Sequence, residues 1–146
     1  MGLGRFGGGL AAAESLLAEG RQVLVTDLAE EAALQASVTK LRETFGTQVS
    51  FRLGGHEQED FAQAELVIAN PAVPQPWDNP YLQTAWASGA TVTTEIARTL
   101  DQLSDRKTIA ITGSAGKSTT TAMTHAALVA AGIPATRGGN LGESLI

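Results

Sequence analysis

The stretch at residues 108–121 constrains the fold more than any other part of this sequence. An apolar run at residues 109–111 predicts a buried strand, a turn with Gly113 and Gly116 follows it, and a helical pattern begins at Lys117. Glycines let a backbone turn tightly and point its N–H groups inward, and a helix N-terminus adds partial positive charge. A strand, a glycine turn and a helix in this order predict a phosphate-binding loop.

The residues that follow the turn strengthen this interpretation. In such a loop Lys117 would contact the β- and γ-phosphates, and the Ser118 hydroxyl would be a ligand of Mg²⁺. The first glycine of the usual eight-residue pattern falls on Ile111, so the match is the shorter G-x-x-G-K-S. An ordinary glycine-rich turn is the alternative, but it does not explain why hydroxyl residues, which are mediocre helix formers, crowd residues 118–121.

A second glycine pattern opens the chain. Gly2, Gly4 and Gly7 form G-x-G-x-x-G at the start of a helical pattern, and residues 22–27 predict a parallel strand that ends in Asp27. Asp27 lies 20 residues after Gly7, the spacing at which an acid meets a ribose hydroxyl in dinucleotide-binding folds. Such a fingerprint normally follows a strand, and none precedes it here. We therefore expect a first strand to be missing.

Strands and helices alternate along the rest of the chain, which predicts an α/β protein with parallel sheets. The predicted strands are at residues 48–53, 65–69, 91–93 and 134–136, and the predicted helices at 30–44, 80–88, 95–103 and 117–131. A polar connector near Ser104 marks the expected boundary. Residues 1–104 are predicted to form a Rossmann-like domain, and residues 105–146 the first βα units of a P-loop ATPase domain. The second part is too short to bury its own core, so we expect the chain to be clipped at both ends.

Composition excludes several classes of function. The net charge of −5 and the lack of a Lys/Arg cluster argue against nucleic-acid binding. No apolar run approaches the roughly 20 residues that span a bilayer, and no signal-peptide core is present, so we predict a cytoplasmic protein without membrane partners. The absence of cysteine excludes disulfides and thiolate metal sites, and the isolated His56 and His125 are predicted to be surface or packing residues.

Four segments together resemble one family. Residues 2–27 are similar to a uridine-nucleotide turn, and residues 69–74 with Asn79-Pro80 and Thr94-Glu95-Ile96 to an S-P-G-[IV]-P…P…x-E-[IL] run. Residues 111–120 are similar to [IV]-T-G-T-N-G-K-[ST]-T-T, and residues 138–142 to G-G-N-I-G. On these motifs the chain resembles the Mur ligases of peptidoglycan synthesis, and among them most closely those that add D-glutamate.

The resemblance implies a function and a set of site residues. It implies ATP and Mg²⁺ as cofactors, UDP-N-acetylmuramoyl-L-alanine and D-glutamate as substrates, an acyl-phosphate intermediate, and a monomer when full-length. The implied UDP-substrate contacts are Gly4, Arg5, Phe6, Asp27, Asn70, Ala72 and Asn140. The implied ATP contacts are Gly113, Ser114, Ala115, Gly116, Lys117, Ser118 and Thr119, with Lys117 catalytic and Ser118 also a Mg²⁺ ligand.

The sequence also departs from the family pattern. Leu28 and Ala29 stand where a hydroxyl residue and an Arg are usual. Asn70 replaces a Ser, Ala72 a Gly, and Ala115 an Asn. The family's acidic Mg²⁺ ligand, its His, its carbamylated Lys and its glutamate-binding domain would lie beyond Ile146. We therefore expect the isolated chain to be unable to ligate.

Three other functions remain open at this stage. The glycine fingerprint with Asp27 is compatible with an NAD-binding Rossmann domain, although that function leaves Lys117 and Ser118 unexplained. Another Mur ligase or a folylpolyglutamate synthase would share the phosphate loop. A non-catalytic remnant that binds a nucleotide, or nothing, is the third possibility.

Overall fold

The computed structural model describes residues 1–4 and 8–138 of this α/β chain. Its helices are α1 (Gly8–Ala18), α2 (Glu31–Phe45), α3 (Gln58–Ala62), α4 (Pro80–Ala87), α5 (Glu95–Gln102) and α6 (Lys117–Ala130). Its strands are β1 (Val23–Asp27), β2 (Val49–Leu53), β3 (Leu66–Ile68) and β4 (Thr91–Thr93). Short 3₁₀ turns lie at Gly46–Gln48 and Pro76–Asp78.

The strands form two parallel pairs. β1 pairs with β2 from Val23 opposite Val49 to Asp27 opposite Leu53. β3 pairs with β4, with Val67 opposite Val92. Parallel pairs require crossover connections, and α2 and α4 supply them. The α/β class with parallel strands is therefore confirmed for the first part of the chain.

The N-terminal backbone lies between the two pairs and bonds to both. The Gly2 N–H donates to the Thr26 carbonyl at 2.7 Å. On the other side, the Met1 amine donates to the Ile68 carbonyl at 2.9 Å, and the Asn70 N–H donates to the Met1 carbonyl at 3.0 Å. These bonds have the pattern of a parallel ladder, so the first residues join β1 to β3.

Each strand pair has its own hydrophobic core. The first packs α1 and α2 against β1 and β2, and its buried members are Leu3, Ala13, Leu17, Val25, Leu34, Val38, Leu41 and Val49. The second packs α3 and α4 against β3 and β4, and its buried members are Phe61, Val67, Ala69, Leu82, Ala85 and Ala90. Removal of these side chains from water is the main force that holds the elements in place.

Local signals set the ends of the helices as the sequence predicts. Gly20, at a φ of 79°, follows the end of α1. The Asn79 carboxamide oxygen accepts hydrogen bonds from the Tyr81 and Leu82 N–H groups, and Pro80 occupies the first helical position of α4. The Thr94 hydroxyl caps α5 by accepting from the Ala97 N–H.

The region around the predicted phosphate loop differs from the sequence-based expectation. The strands predicted at residues 109–111 and 134–136 are not formed, and Ile109 is 62 % exposed. A strand needs a neighbouring strand for its hydrogen bonds, and no strand of the described residues pairs with either segment. The helix predicted from Lys117 is confirmed as α6, but it has no buried residue. No helix in residues 1–4 and 8–138 is long and apolar enough to cross a membrane.

The N-terminal amine generates a testable pH dependence. Burial lowers the pKa of the Met1 amine from 8.0 to about 6, against the opposing effect of the Asp27 carboxylate. The unfolded chain therefore binds this proton more tightly, and stability falls as the pH drops from 8 towards 6. A shift of this size corresponds to about 2–3 kcal/mol. We expect a lower urea midpoint at about pH 5.5 than at about pH 8.5.

An N-acetylated chain is the matched control, because it keeps an N–H for Ile68 and carries no charge. Its urea midpoint should change much less between the two pH values. The pKa of His56 is also lowered, first by burial and then by the N-terminal amine, so a His56→Gln chain separates the two contributions. Equal pH dependence in the acetylated and free chains would contradict the prediction.

Candidate functional site

The Asp27 carboxylate holds the glycine turn together. Asp27 is the last residue of β1, and its Oδ2 accepts a hydrogen bond from the Gly4 N–H at 3.1 Å. Its Oδ1 accepts one from the Ala29 N–H at 2.8 Å. Hydrogen bonds to a charged acceptor contribute about 1.5–3 kcal/mol each. Asp27 is thus a positioning residue for two loops, and each of its oxygens already has a backbone partner.

Glycine is favoured at positions 2 and 4 for two reasons: the backbone conformation there and the little room left for a side chain. Their φ angles are 79° and 68°, in the left-handed region that favours glycine. A Cβ on Gly2 would lie 2.8 Å from the Asn70 Cβ, and one on Gly4 would lie 2.9 Å from the Asn70 Nδ2. A side chain at either position would therefore be strained in its backbone and would require Asn70 to shift.

Asn70 connects the glycine turn to the proline loop that follows β3. Its Nδ2 donates to the Gly2 carbonyl at 3.2 Å, and its Oδ1 accepts from the Ala72 N–H at 2.9 Å. Ala72 itself is exposed. The structure thus brings Gly4, Asp27, Asn70 and Ala72 to the carboxyl ends of β1 and β3, where ligands bind in open α/β sheets. Arg5, Phe6 and Asn140 lie outside the described residues.

Gly8, Gly9 and Glu95 belong to the same region, although the sequence did not single them out as site residues. A Cβ on Gly9 would lie 2.3 Å from the Leu3 carbonyl oxygen, so α1 packs directly on the N-terminal backbone. A Cβ on Gly8 would lie 2.3 Å from the Glu95 Oε2. The Glu95 carboxylate is therefore beside the first residue of α1, where the helix dipole favours negative charge. The run of three glycines at residues 7–9 was the available signal.

The predicted phosphate loop forms a glycine turn that leads directly into α6. Gly113 and Gly116 have φ angles of 153° and 77°, and Gly116 is the residue before α6. The Lys117 Nζ donates to the Gly113 carbonyl at 2.5 Å, so the ammonium lies across the loop. The Thr120 N–H donates to the Gly116 carbonyl, which starts the helical ladder.

The first turn of α6 supplies further groups for a phosphate and a cation. Ser118 and Thr119 are exposed there, and the first N–H groups of a helix have no partner within it. Ser114 and Ala115 form the exposed bend between the two glycines. The donor set fits a phosphate with Mg²⁺, since it combines backbone N–H groups, an ammonium and a hydroxyl. In residues 1–4 and 8–138 no three His, Cys, Asp or Glu side chains cluster as metal ligands.

Comparison with known proteins identifies the family. Residues 1–94 match the family model described as the Mur ligase MurD-like N-terminal domain. The chain belongs to the MurD-like Mur ligases. No solved structure matches the chain.

Several curated relatives are named UDP-N-acetylmuramoylalanine–D-glutamate ligase. The protein of Geobacter metallireducens is 42 % identical over 142 residues, which cover 94 % of this chain and 29 % of that ligase. The protein of Trichlorobacter lovleyi is 37 % identical over 146 residues, covering 100 % of this chain and 31 % of the ligase. The protein of Treponema pallidum is 42 % identical over 140 residues, which cover 96 % of this chain and 26 % of that ligase. The chain thus spans less than a third of these relatives, and the family resemblance is confirmed.

The double role of Asp27 can be tested without any ligand. Asp27→Asn keeps one acceptor oxygen but loses the charge, and it turns an NH₂ towards one of the two backbone N–H groups. We expect a loss of about 1–3 kcal/mol in the free energy of unfolding, measured by urea denaturation. Asp101→Asn, at an exposed position in α5, is the matched control and should change stability by less than about 0.5 kcal/mol. Equal stability of the two variants would show that Asp27 does not hold the turn.

Proposed function

We propose that this chain is the UDP-substrate domain, with the start of the ATPase domain, of a ligase that adds D-glutamate to UDP-N-acetylmuramoyl-L-alanine. The observation that carries the proposal is the extent of the similarity. It runs beyond residue 94, where the family model ends, and reaches 100 % of the chain in the Trichlorobacter lovleyi ligase. The glycine turn and the phosphate loop therefore both lie within the aligned part of a D-glutamate ligase.

The geometry of the glycine turn supports the first half of this proposal. Gly4, Asp27, Asn70 and Ala72 lie together, and the backbone around Gly2 and Gly4 carries no side chains that would keep a diphosphate away. Asp27 orients the turn through its bonds to Gly4 and Ala29, and in this proposal it also contacts the substrate. In this proposal Arg5, Phe6 and Asn140 add contacts to the substrate, and residues 1–104 form the domain that binds it.

The second half of the proposal concerns the phosphate loop, which would bind ATP. Its backbone N–H groups at Gly113, Ala115 and Gly116 would bind the ATP phosphates, with Ser114 and Thr119 beside them. Lys117 would neutralise charge on the phosphoryl group as it passes to the alanyl carboxylate, giving an acyl phosphate and ADP. Bound Mg²⁺, held through Ser118, would neutralise phosphate charge. The D-glutamate amine would then attack the acyl carbon and expel phosphate.

Two alternatives are weaker on the same observations. An NAD-binding domain would use the Asp27 carboxylate for a ribose, but it leaves Lys117 and Ser118 unexplained. Another Mur ligase or a folylpolyglutamate synthase is disfavoured by the names of the relatives described above. The relatives' length supports the proposal that this chain is an inactive part of a larger enzyme. We propose that this enzyme is monomeric and cytoplasmic. The remnant hypothesis predicts that the chain binds a nucleotide without catalysis, or binds nothing.

Ligand binding by the chain itself tests the first half of the proposal, that it contains the UDP-substrate domain. We expect calorimetric titration to show binding of UDP-N-acetylmuramoyl-L-alanine and none of NADH. Ala72→Asp puts a negative charge beside the proposed diphosphate site at an exposed position, so it should weaken binding at least about tenfold. Ala72→Ser, of similar size and neutral, should bind nearly as the parent chain does. Preferential binding of NADH would overturn the proposal.

A chimaera tests the second half of the proposal, the role of the phosphate loop, in a complete enzyme. Residues 1–146 would replace the aligned segment of the Geobacter metallireducens ligase, and D-glutamate addition would be followed by phosphate release. We expect an active chimaera, and we expect Lys117→Ala to lower kcat at least about a hundredfold, because it removes charge from the transferring phosphoryl group.

Lys107→Ala is the matched control in that chimaera, since Lys107 is an exposed lysine ten residues before the loop lysine. It should keep kcat within about twofold of the parent. If Lys107→Ala and Lys117→Ala reduce kcat equally, the loop assignment is wrong. An inactive chimaera that still binds the UDP-sugar would confine the proposal to its first half.

A further inference from the structure

Trp77 is a large aromatic residue that the fold leaves in solvent. It lies in the proline loop, residues 70–79, which connects β3 to α4, and it is 65 % exposed. It is not among the described residues of the core that α3 and α4 form with β3 and β4. Single apolar side chains are common on protein surfaces, so exposure alone does not assign a role to Trp77. Its place in the fold and its backbone contacts do.

The proline loop lies at the same edge of the fold as the glycine turn. It leaves the carboxyl end of β3 and leads to the first residue of α4, and α4 carries the chain back to the start of β4, which is parallel to β3. Both ends of the loop are therefore at the carboxyl edge of the strands, where ligands bind in open α/β sheets. Trp77 thus lies on the ligand side, in the same loop as Asn70 and Ala72.

The backbone of Trp77 is held in place although its side chain is not packed. The Gln83 Nε2 donates to the Trp77 carbonyl at 3.1 Å, and the Asp78 N–H donates to the Gln75 carbonyl at 2.9 Å. Gln75 has a φ of 43° and a ψ of 61°, in the left-handed region that residues other than glycine seldom occupy. Such conformations persist where the surrounding structure holds them, and they are concentrated at ligand sites.

The order of the groups along this edge indicates which part of the substrate meets Trp77. In the proposed function the UDP substrate lies across the glycine turn. Asp27, at the end of β1, is on the side of the ribose, and Asn70 and Ala72, after β3, are beside the diphosphate. The N-acetylmuramoyl sugar follows the diphosphate and therefore continues past Ala72 along the proline loop. The sugar is thus the part of the substrate nearest to Trp77.

We propose that Trp77 is a further substrate contact, whose indole face packs against the ring of the N-acetylmuramoyl sugar. This inference rests on the proposed function and deepens it, because it assigns the sugar to a residue outside the glycine turn. The face of an aromatic ring carries partial negative charge, which attracts the C–H groups on one side of a sugar ring. Packing of the indole against those groups also removes apolar surface from water.

Trp86 is the matched control for Trp77. It is 46 % exposed, and it lies near the carboxyl end of α4. Six residues separate it from Pro80 at the start of that helix, which corresponds to about 9 Å along the helix axis, away from the ligand edge. A change at Trp86 therefore removes an indole of similar exposure without reaching the proposed sugar contact.

Calorimetric titration with UDP and with UDP-N-acetylmuramoyl-L-alanine separates the nucleotide from the sugar. We expect Trp77→Ala to weaken binding of the UDP-sugar about tenfold and to leave binding of UDP within about twofold of the parent chain. Trp86→Ala should leave both affinities within about twofold. Trp77→Phe keeps an aromatic face, so it should recover most of the affinity that Trp77→Ala loses.

Fluorescence provides a second measurement, because the chain has two tryptophans. Trp86→Phe leaves Trp77 as the single indole, and Trp77→Phe leaves Trp86. Contact with the sugar takes the Trp77 indole out of water, so the emission of the Trp86→Phe chain should shift to shorter wavelength with the UDP-sugar and not with UDP. The emission of the Trp77→Phe chain should stay the same with either ligand.

The outcomes distinguish this inference from the proposed function. If Trp77→Ala and Trp86→Ala bind the UDP-sugar equally tightly, the inference is overturned and the proposed function stands. A shift of Trp77 emission with UDP alone would put the indole beside the nucleotide, and it would also overturn the inference. If the parent chain binds neither UDP nor the UDP-sugar, the proposed function fails and the inference fails with it.

Discussion

The backbone hydrogen bonds of Met1 and Gly2 hold the first part of this chain together. The two parallel strand pairs have separate hydrophobic cores, and the described strands form no ladder between β1 and β3. The bonds from Gly2 to Thr26 and between Met1, Ile68 and Asn70 are the backbone link between the pairs. The carboxyl ends of β1 and β3, and hence the candidate UDP site, depend on this link for their relative position.

Three glycines make that link possible. Gly2 and Gly4 adopt left-handed backbone angles that other residues reach only at a cost, and Asn70 lies against both. Gly9 lets α1 press on the carbonyls of Gly2 and Leu3. Because these constraints are spatial as well as conformational, a residue at position 2 or 4 that tolerates the left-handed region would still require Asn70 to shift. Gly2 and Gly4 of the fingerprint thus serve the packing of the turn, in addition to any role in binding a ligand.

Most helices and turns of this fold could be predicted from the sequence, because their signals are local. Asn79-Pro80, Thr94 and the glycines after α1, α2, α4 and α6 act within a few residues of where they stand. The role of Asp27 could be predicted only in part. The 20-residue spacing placed it at the site, but its bonds to Gly4 and Ala29 join residues that only the folded strands bring together. Asn70 connects distant segments in the same way.

The strands could be predicted less well than the helices, because a strand forms only where a neighbouring strand accepts and donates its backbone hydrogen bonds. Residues 109–111 have the composition of a buried strand, yet they form no ladder in the described part of the chain, whereas α6 and the glycine turn before it form from local interactions. The loop therefore keeps its donor groups without the sheet that would normally support them.

The Lys117 bond to Gly113 affects how this loop meets an anion. A phosphate must replace one neutral carbonyl as the partner of the ammonium, and such a hydrogen bond contributes only about 1–3 kcal/mol. A doubly charged phosphate in the same place gains the charge of Lys117 and the N-terminal dipole of α6 together. In the proposed function this exchange would favour the phosphate, because the Lys117 bond to the Gly113 carbonyl is the weaker contact. α6 has no buried residue in the described part of the chain, so no packed face of this helix supports the turn.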